Sequence, residues 1–153
     1  MSKRGNTALN GILLIDKAQG WTSHDVVAKL RKLTGEGRIG HGGTLDPEAT
    51  GLLVVLFGPA TKLSDNLLHG EKSYRATISF GEATDTDDAA GRIVQRSAVG
   101  PQVSDADFAR KLLEGFVGVQ WQTPPAFSAL KREGKVAYRE ARKGRILDIA
   151  PRE

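Results

Sequence analysis

Cysteine is absent from the 153-residue sequence. That excludes a disulfide framework, thiolate catalysis and cysteine zinc sites. Histidine occurs three times, so a histidine metal cage would have to recruit carboxylates. Long apolar runs are missing as well. The longest, Leu52–Phe57, has six residues, against about 20 for a membrane span. No apolar stretch of the secretory type follows Met1. The expectation is a soluble, cytoplasmic protein with no membrane partner. What is present is ordinary: 39% hydrophobic and 26% charged residues, the balance of a globular domain and too apolar for disorder throughout. The length suits about one domain.

The charge is +4, from 22 basic and 18 acidic residues. Its distribution says more than its sum. Lys131, Arg132, Lys135, Arg139, Arg142, Lys143 and Arg145 crowd one segment, opposed only by Glu133 and Glu140. Such a segment is either a solvated helix face or a surface for a polyanion such as RNA or DNA. From Glu82 to Asp88 the sign reverses, with Glu82, Asp85, Asp87 and Asp88 and no basic residue.

Patterning predicts mixed elements. Met1–Asn10 is a polar tail. Gly11–Ile15 reads as a buried strand. Ser23 is a good N-cap for a helix carrying Val26, Val27, Leu30 and Leu33, with Gly35 at its C-terminal end. Gly35–Gly51 holds six glycines and one proline and reads as a loop. Leu52–Phe57 is a second buried strand, and Gly58-Pro59 opens a short helix through Leu68. Tyr74, Ala76, Ile78 and Phe80 alternate with polar residues, which predicts a half-buried strand over Ser73–Phe80. An acidic loop at Glu82–Gly91 and a short strand at Arg92–Gln95 follow. Ser104 opens a helix bearing Phe108, Leu112 and Leu113. Val117–Trp121 alternates, Val136–Lys143 is a basic helix closed by Gly144, and Arg145–Ile149 is a last strand. Without a regular βαβ repeat, the fold class is α+β.

The densest motif is Gly40-His41-Gly42-Gly43-Thr44-Leu45-Asp46-Pro47-Glu48-Ala49-Thr50-Gly51. A phosphate-binding loop would end in Gly-Lys-Ser/Thr, and no lysine lies between Gly35 and Gly51. The dinucleotide glycine pattern is not matched either. These glycines admit close backbone approach or positive φ instead. Pro47 biases Asp46 towards extended geometry. Asp46 is then either a carboxylate presented into a cleft or an Asx-turn residue before proline.

These residues resemble the TruB-type tRNA pseudouridine synthases. Gly11–Lys17 with Gly20-Trp21-Thr22-Ser23-His24-Asp25-Val26-Val27 looks like the first family motif. Gly40–Leu53 looks like the catalytic motif, Gly-His-x-Gly-Thr-Leu-Asp-Pro-x-Ala-Thr-Gly-x-Leu. Gly58-Pro59-Ala60-Thr61-Lys62, Lys72-Ser73-Tyr74-Arg75-Ala76, Thr84-Asp85-Thr86-Asp87-Asp88 and Gln122–Lys131 follow in order.

The resemblance implies the pseudouridine synthase fold, a mixed and largely antiparallel sheet flanked by helices. It implies isomerisation of uridine 55 in the tRNA T-loop by base flipping. Asp46 matches the family's attacking aspartate, acting at uracil C6 or ribose C1′. His41 matches a histidine that packs into the T-loop, and Tyr74 a tyrosine that stacks on the flipped base. Gly43, Thr44 and Lys62 match residues around the substrate, and Phe127 stands where the family often has Tyr, in a segment framing the site. On the residues alone, Tyr74 could instead fill a core, His41 cap a backbone carbonyl, and Lys62 sit on a helix surface or in a structural ion pair. The reaction gains and loses no atoms or electrons, so no cofactor and no metal are expected. The partner is the tRNA T-arm, with no obligatory protein partner. Two departures stand out. Ala18 replaces the family's usual proline, and no Tyr-x-Arg motif occurs. On the resemblance, residues 11–153 are the N-terminal portion of a catalytic domain, an incomplete one, without the downstream half or the C-terminal RNA-binding domain. The competing expectation is a non-catalytic RNA-binding fragment that keeps the T-loop-facing surface.

Overall fold

The computed structural model describes residues 8–125, 130–132, 134–141 and 143–152. The chain divides into two compact units, one ending at Tyr74 and the other beginning at Arg75. All strand pairings among the described residues are antiparallel, which agrees with the expected α+β class.

In the first unit, β1 (Gly11–Lys17), β2 (Ile39–His41) and β3 (Gly51–Phe57) form one sheet in the order β1-β3-β2. β3 is central and the most apolar: β1 pairs along its whole length, and β2 meets it on the other side at Val55–Phe57. Its register sets Leu13 opposite Val55, and Ile15 opposite Leu53. Helix α1 (Ser23–Thr34) covers that face with Val26 and Val27, which join Ile39, Leu53, Val55 and Phe57 in the core. Ile15, Leu30 and Leu45 pack against it. The guanidinium of Arg31 donates to the Ile39 carbonyl at 2.7 Å, tying α1 to β2. A short 3-10 turn (Gly58–Leu63) and helix α2 (Ser64–Leu68) follow.

Three expectations need correction in this unit. β1 is an edge strand rather than a buried one: among the described residues it pairs only with β3, and Leu14 is 64% exposed on the face opposite α1. The glycine-rich loop contains β2, because Ile39, Gly40 and His41 pair with Phe57, Leu56 and Val55 despite their glycine neighbours. The N-cap of α1 is Thr22, not Ser23. Thr22 and Asp25 form a reciprocal capping box that satisfies two otherwise unpaired N–H groups. Gly35 ends α1 as expected, at φ 71°, a left-handed conformation that suits glycine.

In the second unit, β4 (Glu82–Thr84) pairs with β5 (Ile93–Arg96). The acidic loop therefore begins as strand. Its charges find local partners: Arg96 bridges Glu82 and Arg92 bridges Asp85, each at 3.2 Å. Asp88 accepts from the Thr86 hydroxyl and the Ala90 N–H, and the Thr86 bond first of all holds its pKa below the ordinary carboxylate value. A 3-10 turn (Pro101–Ser104) leads to α3 (Ala106–Glu114), capped by Asp105 rather than Ser104. β6 (Lys131–Arg132) and β7 (Lys135–Val136) make a short hairpin before α4 (Ala137–Ala141). Residues 73–80, 117–121 and 145–149 carry no paired strand. Alternation prescribes an extended chain with two faces, whereas a strand also needs a neighbour to bond. The only pairing near the last segments is one bridge between Gln122 and Arg152 among the described residues.

Candidate active site

The Gly42–Thr50 loop lies against the β1–α1 connection, and each anchor falls beside Asp46. Ser23 is buried at the first turn of α1. Its hydroxyl accepts from the Leu45 N–H at 2.9 Å and donates to the Leu45 carbonyl at 3.2 Å. On the other side of Asp46, the Pro47 carbonyl accepts from the Gly20 N–H at 2.8 Å. It also accepts from the Lys17 ammonium at 3.3 Å. Gln19 donates to Glu48 at 2.7 Å, and the Ala49 N–H closes a turn onto the Asp46 carbonyl. The residues flanking Asp46 are thus fixed while Asp46 itself is exposed.

Lys17 is 0% exposed. A buried ammonium is tolerated only when its donors are met. Here three carbonyls meet them: Trp21 at 2.7 Å, Ala18 at 3.0 Å and Pro47 at 3.3 Å. Reading the sequence missed both Lys17 and Ser23 as determinants of this loop. The available signal was an Asp-Lys pair after an apolar run, two residues before a Gly-Trp-Thr-Ser turn.

His41 ends β2 opposite Val55 and is half-buried. Its Nδ1 is buried with no hydrogen-bond partner among the described residues. Burial, first, holds its pKa below the ordinary imidazole value, with the nearby His24 charge adding to this and the Gly43 backbone opposing it. Gly42 must be glycine for packing, since a Cβ would come within 2.8 Å of Leu67 on α2. A Cβ at Gly43 would meet open space instead, and Thr44 beside it is exposed. Along this segment Thr44 and Asp46 are exposed, and His41 and Gly43 half-buried. Lys62 is exposed on the 3-10 turn after β3. Tyr74 is 71% exposed, so it fills no core. Phe127 lies outside the described residues. Among those residues no group of three or more acidic or histidine side chains is placed to hold a metal ion, and no helix is long and apolar enough to cross a membrane.

Residues 31–153 match the family described as TruB family pseudouridylate synthase (N terminal domain). Over 153 residues the chain is 45% identical to tRNA pseudouridine synthase B of Bordetella pertussis, covering all of this chain and 63% of that protein. The enzyme of the same name from Opitutus terrae is 46% identical over 144 residues, covering 94% of this chain and 59% of the relative. Among solved structures, the crystal structure of a Cbf5-Nop10-Gar1 complex resembles 80% of this chain at 28% identity and a TM-score of 0.51, covering 31% of that chain. The chain spans about three fifths of the length of the first two relatives. With the ordered motifs, the antiparallel fold and the likeness over the whole sequence in agreement, this chain belongs to the TruB family of pseudouridylate synthases.

Proposed function

We propose that the chain carries the nucleophile-bearing part of a tRNA pseudouridine synthase that converts uridine 55 of the T-loop to pseudouridine. The observation that carries the reading is Asp46: an exposed carboxylate whose two neighbours, Leu45 and Pro47, are each bonded to the β1–α1 segment. In the reaction the N1–C1′ bond breaks and a C5–C1′ bond forms. C5 releases its proton to solvent and N1 gains one, so the product is an isomer and no redox partner is required. A carboxylate that bonds transiently to the nucleoside divides that exchange into smaller steps. The attack is on uracil C6 or ribose C1′.

The target base is stacked within its loop, so it must first be extruded, at a cost of a few kcal/mol. An exposed aromatic ring is a suitable platform to offset that, at about 1–3 kcal/mol per stacked base, and Tyr74 supplies one. His41 packs into the vacated T-loop. Its lowered pKa leaves a neutral ring suited to stacking. Gly43 and Thr44 give clearance for backbone approach, and Lys62, exposed on its turn, faces phosphate. The working compartment is the cytoplasm, and the partner is the tRNA T-arm.

The test is incubation of the intact protein with a T-arm hairpin tritiated at uracil C5. Isomerisation releases one tritium per pseudouridine formed. Tight RNA binding with no release would establish the rival reading, an RNA-binding module without catalysis.

A further inference from the structure

We propose that Ser23 is a positioning residue for catalysis, acting on Asp46 through the Leu45 peptide. The inference rests on the reading of Asp46 as nucleophile and goes beyond it. Ser23 is 2% exposed, and the capping of α1 is performed by its neighbour Thr22. Its hydroxyl is therefore not consumed by the helix end, where such a residue ordinarily bonds. It turns to the loop instead and engages both polar groups of Leu45, accepting at 2.9 Å and donating at 3.2 Å. One side chain thereby substitutes for a strand partner at an isolated residue. Leu45 is also anchored by its own side chain, which packs against the core cluster.

The consequence falls on the next residue. A reacting carboxylate displaced by about 1 Å can lose on the order of 10²-fold in rate. The Leu45–Asp46 peptide is planar, so fixing the Leu45 amide and carbonyl removes much of the freedom with which Asp46 could swing. The β-strands of the sheet do not provide this restraint, because Gly42 is the last loop residue bonded to β3 before the strand begins again at Gly51.

The experiment uses the intact protein in three forms, wild type, Ser23→Ala and Ser23→Thr, with Asp46→Asn as control. Turnover is followed by tritium release and RNA affinity by titration with the same hairpin. Amide hydrogen exchange is followed without RNA. Ser23→Ala is expected to lower kcat by about 10- to 100-fold with KM and affinity within threefold. Exchange at the Leu45 amide should rise at least tenfold while β3 amides hold steady. Ser23→Thr, which keeps the hydroxyl, should recover most of kcat. Unchanged kcat in Ser23→Ala, or a loss confined to KM, would overturn the proposal. Should both Ser23 variants fail to fold, wild-type exchange decides: the Leu45 amide must be protected at least 100-fold more than that of Thr44, and equal exchange overturns the clamp. Retained turnover by Asp46→Asn would overturn the nucleophile reading and this inference with it. A dead Asp46→Asn beside a fully active Ser23→Ala would overturn this inference alone.

Discussion

The Lys17 ammonium bonds the carbonyl of Pro47, the residue that follows Asp46, yet the chain treats the charges of Lys17 and Asp46 in opposite ways. The ammonium is enclosed and met by three carbonyls, whereas the carboxylate is exposed. Replacing Lys17 by Met keeps the length but leaves carbonyls unmet, at about 1–3 kcal/mol for a buried unsatisfied group. Chemical denaturation of Lys17→Met should show a loss of that size, and a change below about 0.5 kcal/mol, the range of ordinary surface substitutions, would contradict the burial argument. His41 gives a pH signature. Burial lowers its folded-state pKa, so the unfolded chain takes up the proton first, near the ordinary value of about 6.5. The stability it contributes is complete above that pH and is lost as pH falls through the folded value. Between pH 7.5 and 5.5 the wild type should lose more melting temperature than His41→Gln. Parallel curves would show that the imidazole is not held neutral.

At the scale of elements, legibility followed locality. The end of α1 was readable because Gly35 acts on the turn just before it. The start was displaced by one residue because Thr22 and Ser23 are both capping types, and only the loop contact separates their tasks. Thr22→Ala is expected to cost about 1 kcal/mol through loss of the capping box, measured by thermal melting, with no change in Leu45 amide exchange. Loss of Leu45 protection in that variant would mean that the cap and the clamp are not separate devices. β3 was legible as a run of six apolar residues. β2 was not, since three residues holding one glycine acquire strand character only from the edge of β3. The alternation of Tyr74, Ala76, Ile78 and Phe80 misled for the converse reason: it describes side chains, and pairing is decided by whichever segment lies alongside.

Over the whole molecule, the ordered motifs carried the family, while the site's geometry depended on contacts about 20–30 residues apart that no local pattern encodes, such as Ser23 with Leu45 and Lys17 with Pro47. Charge shows the same division. Of the basic segment, Lys143 and Arg145 bridge Glu140 and Arg132 bridges Asp148. The Arg145 bond, above all, holds the Glu140 pKa below the ordinary carboxylate value. Lys135 and Arg139 are exposed, and Arg142 lies outside the described residues. If this segment faces RNA, each phosphate contact contributes about 0.7–0.9 to the slope of log affinity against log salt. Replacing Lys135, Arg139 and Arg142 by Gln should flatten that slope by about one unit or more. An unchanged slope would make the segment a solvated face.

The central claim is that the carboxylate of Asp46 attacks the nucleoside. Asp46→Asn preserves the shape of the side chain and removes its charge, so one measurement addresses the claim directly: tritium release from the C5-labelled T-arm hairpin by the intact protein and by Asp46→Asn, under matched RNA occupancy. The account predicts release by the unaltered protein and none above background by Asp46→Asn, with RNA affinity within a few-fold. Sustained release by Asp46→Asn would contradict it.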